Sequence, residues 1–140
     1  MREVPKELRR EVFDLITEIL SSEEVGDTRR SAEALGRLRA VCARQEALGQ
    51  PDPAVTETLA AYTDDAAEAA TSWRLAIAQS AAYPDEPTHT KRFNLGSRLI
   101  ELGDFAGARL ELTQGRADAE RLKDALYVEL ADELLSRLAI

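Results

Sequence analysis

Apolar residues recur at spacings of three and four along almost the whole chain, and nowhere at a sustained spacing of two. Spacing of three and four gathers side chains on one face of a helix, whereas a half-buried strand requires alternation. The chain therefore reads as all-α, with about six helices folded back on one another as antiparallel hairpins. The first helix starts near Pro5, where the missing N–H of proline costs nothing, and lines up Leu8, Val12, Leu15, Ile16 and Ile19. The second, capped by Asp27 or Thr28, carries Leu35, Leu38, Val41 or Cys42, and Leu48, and stops at Gly49-Gln50-Pro51. Asp52-Pro53 is a strong start signal for a third helix. Its stripe of Val55, Leu59, Tyr62, Ala66, Ala69, Trp73, Ile77 and Ser80 runs to about residue 82. Thr63-Asp64-Asp65 is the place where this long helix can kink, because short polar side chains compete for backbone hydrogen bonds. Tyr83-Pro84-Asp85-Glu86-Pro87 is the clearest linker, followed by helices over 88–102, 104–122 and 124–138. The fifth should bury Phe105, Ala108, Leu112, Gly115, Ala119 and Leu122, and the sixth Leu126 or Tyr127, Leu130, Leu134 and Leu138.

A length of 140 residues suits a single domain over 1–140, with N-terminal helices and linker in 1–87 and a hairpin plus closing helix in 88–140. No apolar run approaches the roughly 20 residues of a membrane span, and the start MREVPKELRREVF lacks the apolar stretch of a secretory signal. One cysteine excludes an internal disulfide and any multi-cysteine metal site. The 18 basic residues against 26 acidic ones give a net charge of -8, which argues against sequence-independent nucleic-acid binding. A soluble cytoplasmic protein with no cofactor is expected. The charge is also unevenly spread: between residues 51 and 90 Arg74 alone stands against seven carboxylates, so -6 of the -8 falls there.

The C-terminal half carries a more specific pattern. Phe93-Asn94-Leu95-Gly96 is followed by Leu99, then Gly103-Asp104-Phe105 and Ala108. This resembles the tetratricopeptide repeat (TPR), a helix–turn–helix unit that stacks into a right-handed superhelix. Gly96 and Ala108 suit a close helix–helix approach, Gly103 suits the left-handed conformation that ends a helix, and Phe105 suits the wedge beside the turn. A second copy places Leu130-Ala131 35 residues after Leu95-Gly96, and Leu134 35 after Leu99. The resemblance covers about 88–138 and extends weakly over 28–82, where Ala34-Leu35-Gly36-Arg37 is similar to the Leu-Gly step.

The resemblance implies a peptide-holding concave face made by the first helix of each pair. On it Thr90, Phe93, Ser97, Ile100 and Glu101 would project, extended by Asp132 and Leu135 of the last helix; alternatively Phe93 and Ile100 simply pack beneath the preceding helices. A second candidate surface comes from charge. Glu57, Asp64 and Glu68, with Asp65 beside them, would share one face of a continuous third helix and attract a basic partner. Chemistry-bearing groups are sparse. His89 is the only histidine and reads as a cap or surface residue, and Cys42 falls on an apolar stripe without a histidine to activate it. Trp73 reads as core, and the arginine pairs Arg9-Arg10 and Arg29-Arg30 as solvated intrahelical partners. Asp64-Asp65-x-x-Glu68 and Glu23-Glu24-x-x-Asp27 could each pair carboxylates for magnesium, but only the first lies on a helix.

The expected function is a non-catalytic protein-interaction module, in its narrower form an acidic inhibitor or immunity protein that covers a basic partner such as a nuclease toxin. Its alternatives are a helical adaptor or regulatory subunit, and a small all-α metal-dependent nucleotide hydrolase. Self-association as a homodimer through Leu134, Leu135, Leu138 and Ile140 is a further expectation.

Overall fold

A computed structural model describes residues 3–139, which form seven helices and no strands. They are α1 (Lys6–Glu24), α2 (Thr28–Ala47), α3 (Pro53–Tyr62), α4 (Ala66–Ser80), α5 (His89–Glu101), α6 (Phe105–Arg121) and α7 (Ala125–Leu138). Each helix packs on the next in the chain, and α7 also reaches back to α5. None is long and apolar enough to cross a membrane.

The long third helix of the sequence reading is two helices. The chain turns extended at Thr63, with φ -85 and ψ 119. The Thr63 hydroxyl donates back to the Leu59 carbonyl at 2.6 Å, and the Asp65 carboxylate accepts the Glu68 N–H at 2.9 Å to open α4. Local side-chain bonding at Thr63-Asp64-Asp65 goes beyond a kink and breaks the ladder. Reversal lets Ala60, Ala69 and Ala70, all essentially inaccessible, bring α3 and α4 together. The apolar stripe continues in phase through the break, so its period cannot distinguish one straight helix from two folded against each other.

Four of the turns share one construction. After α1, α2, α5 and α6 a residue with positive φ is followed by one whose N–H closes a six-residue loop, as in Asp27 to Ser22, Gln50 to Gln45, Asp104 to Leu99 and Asp124 to Ala119. Glycine takes the left-handed position three times; at the α6–α7 turn Lys123 takes it, at φ 60. Asp27, Asp104 and Asp124 then accept a first-turn N–H of the following helix.

Two cores lie side by side. Leu8, Val12, Leu15 and Ile19 of α1 meet Ala34, Leu38 and Val41 of α2 and Val55 and Leu59 of α3. Ala60, Ala69, Ala70 and Trp73 meet Leu95 and Leu99 of α5 and Ala108 of α6. The α5–α6 approach is close: a Cβ on Gly96 would fall 2.7 Å from Leu112. Gly36 has no neighbour within 4 Å of such a Cβ, so it does not share that role.

Other expected core positions are corrected. Phe105 is 51% exposed and does not fill a wedge beside its turn, and Leu48, Leu122 and Leu126 are exposed as well. Leu48 and Leu122 are C-cap residues, beyond the last turn that faces a neighbour. In α7 Tyr127, not Leu126, takes the inner place, and Ala131 alone is fully buried among the described residues.

Candidate functional site: a groove across alternate helices

Alternate helices α1, α3 and α5, with Trp73 of α4, border one cavity of about 470 Å³, and its walls are Ile16, Glu57, Thr58, Ala60, Ala61, Tyr62, Trp73, Asn94 and Arg98. The polar groups in it are held by neighbours. Thr58 donates to the Ala54 carbonyl at 2.8 Å and Asn94 to the Thr90 carbonyl at 2.8 Å. The Arg98 guanidinium bonds the carbonyls of Thr63 at 2.8 Å and Asp64 at 3.2 Å, and also Glu101 at 3.1 Å. Arg98 thereby satisfies carbonyls that the helix break leaves without partners. Such fixed groups make a preorganised surface, which reduces the ordering cost of binding.

The residues expected on the concave face separate. Phe93 stands edge-to-face against Tyr127 of α7 at 5.6 Å, and Ile100 packs on the core around Trp73, Leu95 and Leu99. Thr90 is half-buried, with its carbonyl bonded to Asn94, and Ser97 donates to the Phe93 carbonyl at 3.2 Å. Glu101 is exposed and tied to Arg98. On α7, Asp132 is held by Arg116 and Leu135 is half-buried. The α5 residues on the cavity are Asn94 and Arg98, each one position after an expected residue. One position on a helix is a rotation of about 100°, enough to exchange a face turned to α7 for one turned to the groove. The repeat pattern locates the helix but not its rotation.

The acidic face is also dispersed, since the helix break ends the register on which it depended. Glu57 lies 3.4 Å from the Lys91 ammonium, Asp64 sits in the α3–α4 turn, Asp65 caps α4, and Glu68 pairs with Arg39 at 3.6 Å. Asp64, Asp65 and Glu68 do not converge as a metal pair would. Among the described residues no group of three histidine, cysteine or carboxylate side chains gathers.

Two buried polar centres escaped the sequence reading. Lys91 is only 1% exposed, and its ammonium reaches Glu86 at 3.0 Å and the Pro87 carbonyl at 2.8 Å besides Glu57. It fastens the linker to α5 and α3; a lysine among Thr, Arg and Phe gives no sign of burial. His89 is neither cap nor surface residue: it is 6% exposed, bonds Asp124 at 2.8 Å through Nε2 and meets Tyr127 edge-on. This bond holds the Asp124 carboxyl below the usual range. His89 and Asp124 lie 35 residues apart, the same interval at which Leu130-Ala131 follows Leu95-Gly96. Cys42 is half-buried, and burial pushes its thiol up to about 11, so it stays protonated and unreactive near neutrality.

Comparison with protein-family models, with curated proteins and with solved structures finds no match to any of the three.

Proposed function

We propose that this chain is a non-catalytic protein-interaction module of the tetratricopeptide-like type, whose hairpins stack in a right-handed superhelical sense and whose binding face is the α1–α3–α5 groove. The observation that carries the reading is the joint cavity itself: helices from three successive hairpins wall one groove in which Glu57, Thr58, Asn94 and Arg98 are already held by neighbours. The narrower form is an acidic inhibitor or immunity protein, cytoplasmic, that covers a basic partner such as a toxin; the net charge of -8 supports it.

Ala61 is exposed on the groove wall, so Ala61→Arg fills the groove without entering a core. Affinity capture with both forms, checked for equal melting temperature, tests the reading. A specific partner should be retained by the unsubstituted protein and lost from Ala61→Arg; equal retention rules the groove out.

A further inference from the structure

We infer that the groove receives a basic amphipathic helix, its apolar side against Phe13, Ile16, Leu20 and Tyr62 and one cationic side chain lowered beside Tyr62 between Glu23 and Asp64. This rests on the protein-interaction reading above and adds the chemistry of the partner.

The apolar half of the argument comes from α1. Its buried stripe of Leu8, Val12, Leu15 and Ile19 is spent on α2 and α3. A second stripe borders the groove: Ile16 is on the cavity wall, and Phe13 and Leu20, three before and four after it, stand on the same side of the helix. Phe13 is 65% and Leu20 50% exposed. Phe13 and Leu20 extend the apolar wall at Ile16 beyond the cavity, and an amphipathic helix laid in a groove is the usual way to cover such a stripe.

The charged half lies past Tyr62. Tyr62 also lines an adjoining cavity of about 300 Å³ whose walls include Ile19, Glu23, Ser31, Leu35 and Asp64. Among the described residues the Glu23 and Asp64 side chains have no hydrogen-bonding or ion-pairing partner. The cations nearby are engaged: Arg98 by the Thr63 and Asp64 carbonyls, Arg30 by Glu18 at 2.8 Å. At the N-termini of α2 and α4 the carboxylates of Asp27 and Asp65 each take one first-turn N–H, and both add negative charge there. What the end lacks is positive charge, and Tyr62 adds an aromatic face on which a lysine or arginine is held. An acidic or neutral helix would leave both carboxylates uncompensated.

Trp73 is on the groove wall but only 4% exposed, so binding is read instead from the anisotropy of a fluorophore on the peptide. The test titrates the full chain against three labelled helical peptides of one pattern, Leu/Lys, Leu/Gln and Leu/Glu. Leu/Lys alone should gain anisotropy saturably, more weakly as salt rises. Glu23→Gln with Asp64→Asn should weaken it about tenfold and flatten the salt dependence, at unchanged melting temperature. Phe13→Ser, on an exposed site, should weaken all residual binding. Equal binding of Leu/Gln or Leu/Glu, or unchanged affinity in the double variant, overturns the inference, as does silence with all three peptides. Capture by Ala61→Arg judges the underlying reading separately.

Discussion

Glycines 36 and 96 show how one residue type carries opposite energies. In a helix interior glycine costs about 1 kcal/mol relative to alanine. At Gly36 nothing opposes the change, so Gly36→Ala should stabilise by about 0.5–1 kcal/mol, read from urea denaturation. At Gly96 the new methyl would lie 2.7 Å from Leu112, a buried side chain with no room to move. Overpacking of that kind costs roughly 1–3 kcal/mol, so Gly96→Ala should be net destabilising despite its better helix propensity. Asp124 adds a pH signature. Its folded-state carboxyl is depressed by the His89 bond, so its contribution is complete above the ordinary carboxylate range and is lost as pH falls through the lower folded value. Stability should therefore decline in acid, and Asp124→Asn, which can still cap α7, should make the decline shallower in urea titrations across pH. Legibility follows the same division. The repeat pattern marked Gly96 as a close approach, but nothing in Ala34-Leu35-Gly36-Arg37 distinguishes a glycine that is packed from one that is not.

At the scale of elements, five helix starts and three helix stops follow from capping chemistry, because an Asp before a helix or a Gly after one acts locally. The expected boundaries of α1, α2, α5, α6 and α7 fall close to the observed ones for that reason. At the α3–α4 break the local signal of Thr63-Asp64-Asp65 reads only as a kink, since the partner of the carbonyls it frees, Arg98, is 34 and 35 residues away. Arg98→Ala should cost about 2 kcal/mol, the loss of two charged hydrogen bonds partly replaced by water; thermal or urea unfolding would show it. Arg98→Lys should recover only part, because an ammonium lacks the fork that spans two carbonyls. The one-position offset between the expected concave-face residues and the α5 residues on the cavity, Asn94 and Arg98, belongs here too. Periodicity specifies which residues share a face, but which neighbour occupies that face is settled by the whole assembly.

The whole molecule is organised by its shortest helix. Consecutive residues of α3 enter different cores, Leu59 the one built by α1 and α2, Ala60 the one built by α4, α5 and α6. Leu59→Ala removes a buried side chain of a kind that costs about 2–5 kcal/mol. Amide hydrogen exchange should then accelerate in α4–α6 as well as in α1 and α2; acceleration confined to α1 and α2 would mean that the two cores open independently. The net charge of -8 could be read from composition, but its spatial meaning could not, because Glu57, Asp65 and Glu68 are individually absorbed by Lys91, the α4 N-terminus and Arg39.

Lys123 offers a last consequence. Its left-handed backbone, φ 60 where the sister turns have glycine, is an unfavourable conformation that the flanking bonds of Asp124 impose. In an evolving lineage such a position is an untapped reserve: a single substitution to glycine would relieve about 1 kcal/mol of strain, leaving room to absorb a costlier change elsewhere in the fold.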